Sequence, residues 1–478
     1  MKGNWFQWER QATVHPLIMC MEAWMEPMER RYGRPWPTTV LIYNNDIVGW
    51  YNKWVELLDY GQYLIDLFIR KDKRAELEHE ISTVSNHLNQ MFKQLSEKNF
   101  RELSDSDLIK IYNQIRHGWM EWFVPGGLVE PIGHQGEKLL EKKLEGNPDA
   151  SKIISLVTTT TRESFSKREL SELLGILIDK KEGKDIDKAL EIHARKYYWL
   201  HNNYFTTEVL DYQFFLNELK ILEEKYPNPA DKLRAMENEL LQAQKEKERI
   251  MKELNFGAKE YALVELLDLF AWYQDYRKEY IMQLLHYLDM VLGEIAARKR
   301  ISLKEMKYSL PSEIQAIMGG QFDKKILQER MKRCLFYWDA DTEKAEFGMG
   351  QFAIDKEKEI FHSLKHKEEI LEVTGMAASK GFVRGQARIT LSAKAATEIK
   401  PGEILITSMT TPDFVTAVKR AAAVVTNEGG VLCHAAVISR EFGIPCIVGT
   451  MIATKVFKTG DMLEVDANSG IVRKIASK

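Results

Sequence analysis

Cysteine is scarce in this chain. Its 478 residues include four, and no two of Cys20, Cys334, Cys433 and Cys446 stand in a CxxC pair. That usage argues against a disulfide-stapled scaffold and against a thiolate zinc site, and fits a reduced, cytoplasmic protein. Long apolar runs are missing too. No stretch of about 18 apolar residues occurs, so no membrane span is expected. The first residues, MKGNWFQWER, lack the apolar centre of a signal peptide. Charge of one sign is not in excess: 67 Lys and Arg face 70 Asp and Glu, a formal net charge of −3. Neither nucleic acid nor a membrane surface is an expected partner on that balance. No internal repeat is visible, and no Cys/His cluster has the spacing of a metal site.

What is present divides the chain in two. Residues 1–330 are rich in Leu, Glu, Lys, Trp and Tyr and sparse in glycine, a pattern expected of helices. From about residue 373 onward, short Val/Ile runs are broken by Gly, Pro and Thr, which predicts an α/β domain. The reading is therefore multidomain: a mainly α-helical domain over 1–330, a hairpin and helical connector over 331–372, and an α/β domain over 373–478. Segment 231–254 predicts a charged helix. In segment 259–298, Tyr273, Tyr276, Tyr280, Leu284, Tyr287, Val291 and Ile295 form one apolar stripe at helical spacing. Those tyrosines can serve as core or can line a pocket for a flat or hydroxylated acceptor. Hairpins are expected at 38–51, turning at Asn44-Asn45-Asp46, and at 334–349. Segment 351–371 reads as a helix.

Two segments, GEILIT (402–407) and AAVVT (422–426), read as short buried strands. After the second come Gly429 and Gly430, which allow a sharp turn and close approach to a ligand. His434 then opens the helical pattern AAVISREF, which stops at Gly443-Ile444-Pro445. A histidine at a helix start sits among free N–H groups that favour an anion such as a phosphoryl group. The same positive end disfavours imidazolium and keeps the ring neutral and nucleophilic. The bland alternative is a capping or packed histidine.

Segment 402–449, with Gly429, Gly430, His434, Arg440, Glu441, Gly443, Ile444, Pro445 and Gly449 in order, resembles the swivelling phosphohistidine domain of the phosphoenolpyruvate-utilising enzymes. That family includes phosphoenolpyruvate synthase, pyruvate phosphate dikinase and rifampin phosphotransferase. Residues 375–389 and 460–472 resemble the opening hairpin and closing strands of the same β/β/α domain, so the likeness runs over about 373–478. The resemblance implies that His434 is the phosphorylated residue. It implies support of the phosphate by Gly429, Gly430, Cys433, Arg440 and Thr410, the last with Pro412 in a T-x-P loop. Arg440 can equally pair with a carboxylate at the surface. The commonest family pattern has Thr before the residue that precedes the histidine, where this chain has Leu432. The chain stops just after this domain, and its helical part shows no glycine-rich phosphate loop; the PGG at 125–127 reads as an ordinary loop. The resemblance then implies an ATP-grasp partner acting in trans, holding ATP and magnesium, and a small-molecule acceptor bound by the helical domain. No cofactor or metal is expected on this chain itself. The competing reading is a non-catalytic regulatory or assembly subunit.

His134 and Glu137 form H-x-x-E. On a helix that spacing shares one face and suits a metal or an acid/base pair at an acceptor pocket, but Gly133 and Gly136 argue for a loop or helix start. His117 and His193 are expected in the core or at its rim.

Overall fold

The computed structural model describes residues 5–147, 149–361, 372–390, 396, 398–410, 414–429 and 434–475. Two compact units are present. One comprises 11–48 and 52–353; the other comprises 354–478 with the short segments 1–10 and 49–51.

The first unit is built around the helix Ala258–Lys299, 42 residues long. Its start is fixed by the Glu260 carboxylate, which accepts from the Gly257 N–H at 2.9 Å. It ends at Arg300, whose φ of 53° is left-handed. Helices Lys71–Ser96, Asp105–Gly126 and Val129–Lys143 pack along it. The tyrosine stripe faces inward: Tyr273, Tyr280 and Tyr287 are buried, together with Leu284, Val291 and Ile295. A second cluster, with Tyr197, Trp199, Phe215 and Leu219, joins helices Phe165–Lys181, Asp187–Tyr197 and Tyr212–Lys225.

Strand β1 (Trp5–Gln11) opens the chain; β2 (Thr39–Asn44) and β3 (Ile47–Lys53) form the hairpin expected at 38–51, with Asn45 left-handed at its turn. The second expected hairpin is β4 (Arg333–Asp339) and β5 (Lys344–Met349). Strand β4 pairs antiparallel with both β2 and β5. Segment 351–371 is helical over Gln351–Phe361, and 362–371 lie outside the described residues.

Two expectations are corrected here. The PGG at 125–127 is no open loop. Pro125 and Gly126 finish the helix Asp105–Gly126, Gly127 is right-handed, and a new helix runs from Val129 to Lys143. The carbonyl of Gly126, which the broken ladder would orphan, accepts from the buried Arg277 guanidinium, which also pairs with Glu130. Likewise Gly133 and Gly136 do not break the helix that carries His134 and Glu137. A side chain at Gly136 would collide with Leu267, so glycine serves there to let two helices approach.

The second unit holds an eight-stranded sheet. Its strands are β6 (Glu372–Thr374), β7 (Met376–Ser379), β8 (Phe382–Ile389), β9 (Ile404–Thr407), β10 (Ala423–Thr426), β11 (Cys446–Val448), β12 (Met462–Asp466) and β13 (Ile471–Lys474), in the order β6-β13-β12-β8-β9-β10-β11-β7. The central four, β8 to β11, are parallel, and the flanking pairs are antiparallel. Alternation decides the two faces. Leu405, Val424, Cys446 and Val448 pack under the helices, with Phe414, Ala417, Ala435, Ala436 and Ile438. Ile404, Ile406, Ala423, Val425 and Ile447 pack on the opposite face with Phe457, Leu463 and Val465. Burial on both faces explains why these strands read as unbroken apolar runs.

Candidate functional site

Three parallel strands end at one edge, and all three have threonine there: Thr407 closes β9, Thr426 closes β10, and Thr450 follows β11 by way of Gly449. The carboxyl ends of parallel strands are where open α/β sheets hold ligands. None of these hydroxyls projects as a free donor. Thr407 Oγ1 donates to the carbonyl of Met409 at 3.1 Å, Thr426 Oγ1 to that of Glu428 at 2.6 Å, and Thr450 Oγ1 to that of Thr426 at 2.9 Å. Each hydroxyl locks the turn that follows or adjoins its strand.

Main-chain bonds tie these turns together. The N–H of Asn427 donates to the carbonyl of Thr407 at 3.1 Å, that of Glu428 to Ser408 at 2.8 Å, and that of Met451 to Asn427 at 2.9 Å. The buried Asn427 amide also spans Thr454: its Nδ2 donates to Thr454 Oγ1 at 2.6 Å and its Oδ1 accepts from the Thr454 N–H at 3.1 Å. Gly429 then turns with φ 107°, a conformation that L side chains avoid. A Cβ on Gly449 would stand 3.0 Å from the Gly429 carbonyl, so the two turns touch backbone to backbone.

From this platform the chain enters the helix His434–Phe442. Ala435, Ala436, Ile438 and Ser439 face the sheet and are buried; the two alanines let the helix lie close to the strands. The helix stops as expected. Gly443 is left-handed with φ 63°, and the Ile444 N–H donates back to the Ser439 carbonyl at 2.8 Å, the closing bond of a Schellman motif. His434 is thus the first residue of a short helix set directly beyond the carboxyl end of β10. Its imidazole, the side chains of Arg440 and Glu441, and residues Gly430, Leu432, Cys433 and Pro412 lie outside the described residues. Thr410, four residues along from the end of β9's apolar run, is buried at the same edge.

Sequence assigns no role to Glu428, between Asn427 and the glycine turn. It is half-buried, and that burial raises its carboxyl above the usual range, an effect opposed by the charge of Arg10. Nor does sequence assign a role to the neighbouring Thr407, Thr426, Asn427 and Thr450. A signal existed in the repeated pattern of an apolar run closed by threonine at ILIT, AVVT and CIVGT.

The remaining candidates lie in the helical unit. Tyr273 is fully buried, set edge-on to Trp122. Tyr276 stacks on Trp272 at 4.5 Å and shares a 3.2 Å hydrogen bond with Tyr280. His134 meets the Trp54 ring edge-on at 5.2 Å, and burial holds its pKa below the ordinary histidine value. Glu137 is raised by burial and then by the nearby Glu141 charge. His193 is buried, 3.1 Å from Glu169, whereas His117 is exposed beside Glu121. Among the described residues no group of three or more His, Cys, Asp or Glu is placed to hold a metal ion.

Residues 399–470 match the family described as PEP-utilising enzyme, mobile domain. The β/α region that carries His434 is thus the part of the chain that is similar to that mobile domain. The chain is 38% identical over 188 residues to a probable phosphoenolpyruvate synthase of Archaeoglobus fulgidus, covering 38% of this chain and 22% of that protein. It is 51% identical over 100 residues to the phosphoenolpyruvate synthase of Pyrococcus furiosus, covering 21% and 12%. It is 38% identical over 104 residues to the uncharacterized phosphotransferase YvkC of Bacillus subtilis, covering 22% and 12%. The chain thus spans less than a quarter of the length of these relatives. No described helix is long and apolar enough to cross a membrane.

Proposed function

We propose that this chain is a cytoplasmic phosphotransferase subunit in which His434 carries a phosphoryl group between two sites. A nitrogen of its ring attacks the phosphorus of a donor and forms a P–N bond as the donor's P–O bond breaks. The phosphorylated ring then meets an acceptor hydroxyl or enolate, whose oxygen forms the new P–O bond as the P–N bond breaks. Free N–H groups of the first helical turn and the turn at Gly429 stabilise the charge on the transferring group, which is the main catalytic task in phosphoryl transfer. The donor is an ATP-grasp protein acting in trans with ATP and magnesium. The helical unit holds the acceptor, which is pyruvate-like or a hydroxyl compound.

The observation that carries this reading is the position of His434. It opens a helix beyond the carboxyl end of a buried parallel strand, inside the segment matched by the mobile domain.

The test supplies the chain with labelled ATP, magnesium and an ATP-grasp protein from the same cells. Acid-labile label on the chain, discharged when a pyruvate-like or hydroxyl acceptor is added, supports the proposal. Stable labelling with no turnover of any acceptor favours a regulatory subunit. No label from ATP or from phosphoenolpyruvate rejects both.

A further inference from the structure

The helical unit contains a cavity of about 650 Å³ between four elements distant in sequence. Leu95 comes from the helix Lys71–Ser96, Ala194 from Asp187–Tyr197, Val209 and Leu210 from the segment before Tyr212–Lys225, and His286, Tyr287 and Met290 from Ala258–Lys299. The volume lies in the range of small-molecule sites. The walls are mainly apolar and aromatic. Val209 is 60% and Met290 37% exposed, so the mouth presents hydrophobic side chains to solvent. Around the rim both signs of charge occur, Lys98 and Arg195 against Glu191 and Asp211, with Arg195 and Glu191 3.5 Å apart. Such a rim offers no net field for a phosphorylated or strongly anionic ligand.

Within this setting one polar group is uncommitted. The half-buried His286 ring touches Tyr198 at 4.8 Å and Tyr287 at 4.9 Å between centroids, both edge-on. No described group makes a hydrogen bond to either of its nitrogens. Its neighbours show that this is unusual here. Tyr287 donates its hydroxyl to the Phe92 carbonyl at 3.1 Å, and His193, in the next cluster, meets Glu169.

We propose that this cavity binds a flat aromatic compound carrying a hydroxyl group, with its ring against the apolar walls and its hydroxyl hydrogen-bonded to His286. Burial lowers the His286 pKa to about 4, so the ring is neutral at physiological pH and offers one acceptor and one donor. Aromatic edges and a thioether at the mouth suit a π-face. As the acceptor of the phosphoryl group, this compound class rests on the function proposed above; the binding itself does not.

The test is a fluorescence titration of the full chain with 2-naphthol, using naphthalene as the comparator without a hydroxyl. Saturable one-to-one binding is expected, with naphthalene about tenfold weaker. In His286→Ala the two probes bind alike, at the weaker affinity. Met290→Trp, a change at the exposed mouth, lowers the affinity for both without disturbing the helical circular dichroism signal. Absence of saturable binding overturns the proposal, as does an unchanged preference for naphthol in His286→Ala. Phosphorylation of His434 is scored separately. A chain that takes phosphate but binds no naphthol removes the aromatic class alone, whereas one that binds naphthol but takes no phosphate removes the transfer reaction alone.

Discussion

The two units reach stability by opposite means. The helical unit buries large side chains, among them Trp36, Trp119, Trp122 and Trp199, and it commits buried polar groups to one another. Lys307 and Asp289, both nearly inaccessible, pair at 2.8 Å, and Lys307 also donates to the Phe205 carbonyl at 2.7 Å. His15 is fully enclosed, with Nδ1 3.1 Å from the Ser309 carbonyl and Nε2 3.0 Å from the Tyr112 hydroxyl. The C-terminal unit uses short strands, alanines and turns closed by threonine hydroxyls. Its threonine hydroxyls bind backbone at the carboxyl edge of the sheet. One unit spends its polar chemistry on holding long helices in place, the other on shaping a turn.

That contrast can be broken most severely at His434. His434→Ala should abolish acid-labile labelling while the unit's circular dichroism and melting change little, because alanine is well tolerated within a first helical turn. A melting loss comparable to that of a core deletion would assign the residue to structure instead. In the helical unit the largest effect is expected for Lys307→Met, which strands the Asp289 carboxylate. It should cost about 3–5 kcal/mol in denaturant unfolding, and the double change with Asp289→Asn should recover part of that loss. Gly61→Ala places a methyl against the Pro131 carbonyl of the facing helix and should cost about 1–3 kcal/mol.

The smallest effect concerns pH. Burial, the largest influence, lowers the His15 pKa to about 3, against roughly 6.5 in an unfolded chain. Between those values the unfolded chain binds a proton that the folded unit refuses. The stabilising contribution is therefore complete above about pH 6.5 and is lost as pH falls toward 3. Thermal melts from pH 7 to 4 should show a falling midpoint, with a shallower slope in His15→Asn. Equal slopes would mean that other groups dominate.

Sequence was most informative where period and punctuation coincide. The apolar runs at 404–407 and 423–426, the glycine turn, and the helix from His434 to Gly443 were all legible, because each change of element is marked by Gly, Pro or Thr. The long helices were readable from their helical spacing, and the first hairpin from the turn residues Asn44-Asn45-Asp46. The helical unit's interior was less so. Gly133 and Gly136 looked like helix breakers, yet Gly136 is where Leu267 of another helix presses in, a tertiary cause with no local trace. The PGG segment misled similarly, because Arg277, about 150 residues away, satisfies the carbonyl that makes its tight turn possible. The cavity around His286 draws on four segments between residues 95 and 290, so no local motif announces it.

The central claim is tested most directly by mass spectrometry of the chain purified from its own cells under alkaline conditions, which preserve P–N bonds. The account predicts one phosphoryl group on the peptide spanning 421–440, localised to His434 and lost on brief acid treatment. A phosphate that survives acid, or one placed on another residue while His434 stays unmodified, would contradict it.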